Sequence, residues 1–252
     1  MLERHDHGDG VEELRLARPP ANALDPALVA ELLGAVVGAS SRGVRALVLS
    51  GSPGIYSGGL DVPALLALDR SAMAAFLGDF FALMRALAAS PLPIVAAITG
   101  HAPAGGAVLA IFCDDRVMAE GDFRIGLNEV RVGLSLPAVI ASALELVVGP
   151  RQASRLGVSG LLVPAEEALR LGLVDELVAP ERVIERAVER ARGYLELPPL
   201  AMATTRALVR ARLVALFDAQ QEATFRRFVD DWFSTETQGA MRALVDRLRK
   251  RN

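Results

Sequence analysis

Three glycine-bearing loops hold the residues of this sequence that could do chemistry. The first, Tyr56-Ser57-Gly58-Gly59-Leu60-Asp61, follows a short apolar run, Ala46–Leu49. Two adjacent glycines let a backbone turn sharply and present bare N–H groups. Asp61 is placed to cap a following helix, although an ordinary glycine turn has the same composition. The second loop, Gly100-His101-Ala102-Pro103-Ala104-Gly105-Gly106, follows Ile94–Ile98 and opens onto an apolar stretch ending at Phe112. A helix N-terminus there would offer free N–H groups and partial positive charge, which suit an oxyanion. It has neither the Gly-Lys-Ser/Thr ending of a phosphate loop nor dinucleotide glycine spacing. The third loop runs from Ile125 to Leu134 and carries Glu129, a lone acid in a largely apolar setting. Burial would raise its pKa and make it a proton acceptor and donor near neutral pH. The alternative is a salt bridge to Arg124 or Arg131.

Other reactive side chains read more plainly. His101 has no carboxylate nearby in sequence and fits a surface or packed loop histidine. His5-Asp6-His7 reads as a solvated terminus, and three histidines, two of them in the first ten positions, do not make a metal site. Cys113 fits a small core residue better than a nucleophile. No Gly-x-Ser-x-Gly elbow supports a serine hydrolase. The charge run Glu181–Arg192 reads as a solvated helix face with i,i+4 pairs.

The elements that must position these loops follow from periodicity. Val11–Leu16, Ala46–Leu49, Ile94–Ile98 and Arg116–Ala119 read as strands. Asp25-Pro26 reads as an N-cap with proline at the first helical position, before a helical stripe from Leu28 to Val37. Ser71–Ala88 is helix-periodic, and Gly105–Phe112 is apolar all round, fitting a helix buried on every side. Pro137–Val148 reads as a helix stopped by Gly149-Pro150. Later helices are expected from Val163 to Gly172, then over Pro180–Leu195, Pro199–Phe217, Gln220–Phe233 and Thr237–Arg249. Strands thus alternate with helices over about two-thirds of the chain, then give way to helices, which predicts an α/β core with a helical C-terminal segment.

Composition narrows the class. The chain has 252 residues, 52% apolar and 23% charged, with a formal net charge of -3. That supports a sizeable core and excludes collagen-like, disordered and disulfide-scaffold chains. One cysteine favours a reducing compartment. Mild acidity argues against a nucleic-acid partner. Lys250 is the only lysine, as expected from a GC-rich bacterial coding bias. Ala86–Cys113 contains no charged residue and is long enough to span a bilayer. Pro91, Pro93, Pro103 and the glycines of the second loop break it into short blocks, so no membrane span is expected. Met1–Gly10 lacks the apolar core of a signal peptide.

The three loops, in this order, resemble those of the crotonase superfamily, the enoyl-CoA hydratase/isomerase family. The resemblance runs from Arg18-Pro19-Pro20-Ala21-Asn22-Ala23-Leu24 to the terminal helices. It implies a crotonase-like ββα spiral core over 1–195 and a helical trimerisation segment over 196–252. It also implies a homotrimer or a hexamer built as a dimer of trimers, an acyl-CoA thioester substrate, and no metal or other cofactor, coenzyme A arriving with the substrate. The terminal basics Arg247, Arg249, Lys250 and Arg251 either meet its phosphates or form a solvated tail. Carried over position by position, the family's oxyanion hole falls on the backbone N–H groups of Leu60 and Gly105. Substrate contacts fall on Ser57, Gly58, Gly59, Asp61 and Asn128, and Asn128 reads equally well as a turn residue.

The family's hydratases use two glutamates. Their positions here are Val108 and Glu129, so one required acid is missing. Pro103-Ala104-Gly105-Gly106 and Ile125-Gly126-Leu127-Asn128-Glu129 resemble the mitochondrial-type Δ3,Δ2-enoyl-CoA isomerases, which shuttle a proton on a single acid. The expectation is a cytoplasmic bacterial isomerase of unsaturated fatty acyl-CoA with Glu129 as the catalytic acid. The alternatives are another acyl-CoA reaction of the family, hydration or thioester hydrolysis, and a non-catalytic acyl-CoA-binding protein.

Overall fold

The apolar runs expected as strands line up in one sheet that is buried on both faces. A computed structural model describes residues 1–219 and 221–250, without the side chains of 219, 221–225, 248 and 249. The N-terminal half contains β1 (Leu2–Asp6), β2 (Val11–Leu16), α1 (Pro26–Val37), β3 (Ala46–Ser50), β4 (Gly54–Ile55), α2 (Val62–Leu66), α3 (Arg70–Ala89) and β5 (Ile94–Ile98). The middle adds β6 (Gly100–Pro103), α4 (Gly105–Ile111), β7 (Asp115–Ala119), β8 (Arg124–Gly126), α5 (Ala138–Ser159) and β9 (Val163–Pro164). The rest comprises α6 (Ala165–Leu171), β10 (Glu176–Val178), α7 (Val183–Leu195), α8 (Pro199–Ala219), α9 (Gln221–Trp232) and α10 (Thr235–Arg249).

The large sheet has the order β1-β2-β3-β5-β7-β10. Only its first pair is antiparallel. Alternate residues of each central strand face opposite cores. Val11, Ala46, Val48, Val95 and Ala97 pack against Val183, Ala187, Val188 and Ala191 of α7. Leu47, Leu49, Ile94, Ala96 and Ile98 face the main core. This two-sided burial explains why the strands read as continuous apolar runs rather than alternating ones. A second sheet, β4-β6-β8-β9, stands beyond the ends of these strands. Its short parallel strands β4, β6 and β8 run into or lead up to the three glycine loops.

The uncharged Ala86–Cys113 stretch is the end of α3, then β5, β6 and α4, all of whose residues are buried in α4. Among the described residues, one helix, α3, is long and apolar enough to cross a membrane, and half of that window is buried inside the protein. Cys113 is buried, as expected, with its thiol pushed up to about 12 by desolvation.

Several expectations need correction. The polar N-terminus is not merely solvated: it forms β1, and His7 Nε2 lies 2.8 Å from the fully buried Glu13 carboxylate. Strands do not stop at two-thirds of the chain, since β10 comes later. The helix after Pro137 does not end at Gly149-Pro150. It kinks there, with Gly149 at φ 74°, and Pro150 begins a second helical piece. The charged face of α7 is paired at i,i+3, and Arg186 and Arg190 clamp Glu176 of β10. The last helix begins at Thr235, two residues before the expected Thr237, because the Ser234 hydroxyl accepts from Thr237 N–H and caps it. Gln220, Arg251 and the side chain of Arg249 lie outside the described residues.

Candidate active site

The first glycine loop is shaped by a brace from Asn22. This residue is fully buried and holds a left-handed backbone, φ 48°. Its Nδ2 donates to the carbonyl oxygens of Ile55 and Tyr56, each at 3.2 Å. Its Oδ1 accepts from Arg18 N–H at 2.9 Å, and its carbonyl accepts from Ser57 Oγ at 2.8 Å. Ser57 is fully buried, and its hydroxyl also accepts from Gly59 N–H. Gly58 N–H donates to Ala21 O. Asp61 caps α2 through Ala64 N–H and pairs with Arg18 at 2.7 Å. The polar side chains of Ser57 and Asp61 therefore shape the loop. Leu60 N–H, between the strand-like bonds of Gly59 O and Asp61 N–H to Leu24, has no acceptor among the described residues.

The second loop meets the first at van der Waals distance. Ala104 adopts φ 46°, ψ -118°, which turns the chain from β6 into α4. A Cβ on Gly59 would lie 3.1 Å from Gly105 N, and a Cβ on Gly106 would lie 2.6 Å from Ser57 O. Only glycine at both positions permits this approach. Gly105 is the first residue of α4, so its N–H has no intrahelical partner. None is supplied by any other described residue. Two free N–H groups, one from each loop, are thus brought to the same cavity wall.

The third loop is tied to the second by Ala104 N–H donating to Gly126 O at 2.8 Å. Gly126 has φ 155°, and a Cβ there would sit 2.2 Å from Leu161 O. The chain then forms a single 3-10 turn, Glu129–Val132, closed by left-handed Gly133. Glu129 is 9% exposed, and its Oε2 is buried without a hydrogen-bond partner. No cation pairs with it among the described residues, and Arg131 instead donates to Gly160 O at 2.6 Å. Desolvation pushes its pKa from the ordinary 4.5 up to about 7, opposed only by its own backbone hydrogen bond. The salt-bridge alternative for Glu129 is therefore not what the fold builds.

Glu129, Leu60, Gly105 and Val108 line one cavity, walled by Phe80, Phe81, Ile140 and Phe228. It is tight, about 20 Å³, or room for roughly one water. Two hollows of about 420 and 390 Å³ lie elsewhere, between α7 and α8 and at the α5 kink. The acid of the first, Asp114, is already held by Arg206 and Arg210, and Glu145 in the second is exposed. Chemistry rather than size marks the small cavity: it alone of the three joins a buried, unpaired, poised carboxyl to two free backbone donors. A carbonyl oxygen held by the two donors would enter the cavity that Glu129 also lines, which joins oxyanion stabilisation and proton transfer in one site.

Of the expected site residues, Glu129, Leu60 and Gly105 meet at the cavity, and Val108 lies there as an apolar residue. Asn128 precedes Glu129 in the chain but does not line the cavity; its Oδ1 is buried and unpartnered. His101 stands apart and exposed, its Nδ1 accepting from Arg124 N–H and its ring edge against Phe123. Sequence reasoning missed the brace of Asn22, the aromatic wall, and Phe228 from α9. The motif around Asn22 was visible, but its role depends on contacts with residues 30 to 34 positions away.

The profile of the enoyl-CoA hydratase/isomerase family matches residues 6–250. Human mitochondrial enoyl-CoA delta isomerase 1 is 31% identical over 255 aligned positions, covering 99% of this chain and 84% of that protein. A probable enoyl-CoA hydratase of Mycobacterium tuberculosis is 36% identical over 224 positions, covering 86% of this chain and 83% of that one. The crystal structure of human mitochondrial Δ3,Δ2-enoyl-CoA isomerase matches with a TM-score of 0.96 at 29% identity, over 100% of this chain and 99% of that one.

Proposed function

Within the enoyl-CoA hydratase/isomerase family, to which this chain belongs, we propose that it is a Δ3,Δ2-enoyl-CoA isomerase of unsaturated fatty acyl-CoA. The observation that carries this reading is one buried, unpaired acid, Glu129, sharing its cavity with Val108 where a hydratase would need a second acid. Water addition requires activation of water and delivery of a proton together, whereas moving a double bond needs one group that takes a proton and gives it back.

In this mechanism the thioester oxygen of a 3-enoyl-CoA accepts from Leu60 and Gly105 N–H. The Glu129 carboxylate removes a proton from C2, and the electron pair delocalises over C2 to C4 and the thioester oxygen as a dienolate. The two preorganised donors stabilise the growing oxyanion, a term worth roughly 3–4 kcal/mol per donor in comparable sites. The Glu129 carboxyl then returns its proton at C4, leaving the double bond between C2 and C3. Atoms balance without water, metal or redox cofactor. Asn128, with a buried free Oδ1 beside Glu129, is proposed as a substrate contact. Gly58 and Gly59, together with the loop-shaping Ser57 and Asp61, are proposed to frame the thioester.

The same proposal includes assembly as a homotrimer or dimer of trimers through segment 196–252, in a bacterial cytoplasm. Support for assembly comes from α8, which exposes Leu200, Leu208 and Val209 at 80%, 71% and 67% in the single chain. Light scattering of the pure protein reads the subunit number directly.

The test of the reaction is to mix the protein with 3-enoyl-CoA substrates of several chain lengths, follow conjugation by ultraviolet absorbance, and weigh the product. Isomerisation leaves mass unchanged, and no conjugation at any length refutes the reading. A second reading, hydration, is favoured by the 36% identity to a probable hydratase. It predicts a product heavier by one water from a 2-enoyl-CoA.

A further inference from the structure

The position of the Glu129 carboxyl is set by its backbone turn, since no side chain bonds its free oxygen. That turn is closed by Gly133, whose N–H and that of Leu134 both donate to Glu129 O. Outside it lies the start of α10. Thr237 is fully buried despite its hydroxyl, which donates to Gly133 O at 2.8 Å. The same Oγ1 lies 3.1 Å from Ser234 Oγ, and Thr237 N–H donates to that Ser234 oxygen at 3.1 Å. The backbones are in direct contact: a Cβ on Gly133 would meet Thr237 Cα at 3.1 Å. Two residues further on, Ser135 Oγ donates to Asp231 of α9 at 2.7 Å. From the same helix α9, Phe228 reaches the cavity.

Resting on the isomerase reading of Glu129, we propose that Thr237 is a positioning residue, whose hydroxyl latches Gly133 and thereby fixes the general base from the C-terminal helices. A cap for α10 alone needs only the Ser234 hydroxyl and Thr237 N–H. The bond to Gly133 O is additional, crosses 104 residues of sequence, and satisfies a carbonyl at the end of the catalytic turn. Because proton transfer is sensitive to displacements of about 1 Å, slackening this turn acts on turnover rather than on thioester binding.

The experiment compares the full-length protein with Thr237→Val, which keeps the shape and deletes the hydroxyl, and Thr237→Ser, which restores it. The valine variant is expected to lose roughly tenfold or more in kcat with KM within about twofold, and to exchange the Gly133 and Leu134 amides faster. Thr237→Ser should match the parent in both. Ser135→Ala, which leaves the Thr237 bond intact, should turn over within about twofold of the parent. Should the valine variant not fold, Thr237→Ala makes the same deletion with less bulk. Parental kcat and amide exchange in the hydroxyl-deleted variant would overturn the proposal, as would a serine variant as impaired as the valine one. Amide exchange needs no substrate. A parent protein without isomerase activity therefore removes the reaction reading, while the exchange comparison still decides the latch.

Discussion

Replacing Glu129 with glutamine should inactivate the protein and stabilise it, with the stabilisation confined to one side of a pH window. In the unfolded chain the carboxyl ionises at its ordinary 4.5, whereas in the folded chain desolvation raises this to about 7. Between those values the folded state binds the extra proton, so stability conferred by other contacts declines as pH rises, then levels off above 7. The gap of about 2.5 units corresponds to about 3.5 kcal/mol at roughly 1.4 kcal/mol per unit. Glutamine cannot ionise and escapes this loss, less whatever its unpaired amide costs. The difference between Glu129→Gln and parent should be below about 1 kcal/mol at pH 5 and approach about 3.5 kcal/mol, as an upper bound, by pH 8. For a chain of this size that is about 6–10 °C in Tm. Thermal melts of both proteins at matched concentration across pH 5 to 8 read it, and the comparison cancels every other titrating group. Turnover of the variant should fall roughly 10²–10⁴-fold. Parallel melting profiles across the whole range would show that the carboxyl is not destabilised by burial, and the argument for a poised base would fail with it.

Other consequences are equally specific. Activity of the parent, as kcat/KM against pH, should rise to a plateau with its half-value near pH 7, because the proton acceptor must be ionised to start the reaction. A pH-independent profile from 5 to 8 would contradict this. Gly106→Ala would place a Cβ 2.6 Å from Ser57 O and push the two donor loops apart. It should cost about 1–3 kcal/mol in urea unfolding and at least tenfold in kcat. Asn22→Ala removes the donor to Ile55 O and Tyr56 O and leaves alanine in a left-handed backbone. A loss of roughly 3 kcal/mol is expected, read as the denaturant midpoint, together with reduced turnover.

The site was legible in the sequence wherever chemistry depends on local backbone freedom. Glycine pairs marked both donor loops, and a lone acid among apolar residues marked Glu129. What remained hidden was set by distant contacts. Strand β1 has no apolar pattern, because it is an edge strand with Glu3 and Arg4 exposed, and only its pairing with β2 makes it a strand. The two-residue strands β4 and β9 are too short for any periodicity to show. At Gly149-Pro150 the residues that stop one helix are also those that start the next, so local reading saw only the stop. Thr237 looked like the beginning of a helix, and its bond to Gly133 becomes visible only once the chain has folded back on itself.

The two N–H groups that face the cavity belong to the main chain, and this limits what heredity can do to them. Apart from proline, every replacement of Leu60 or Gly105 retains the donor itself. Inactivating mutations should therefore gather at the glycines that let the loops touch and at Glu129, while position 60 tolerates apolar drift. Under the proposed mechanism the charge-stabilising half of the site is inherited with the fold, and the acid is the half that is free to change. A laboratory search for new reactions on this scaffold would best leave the donors alone and vary acids at 108 and 129.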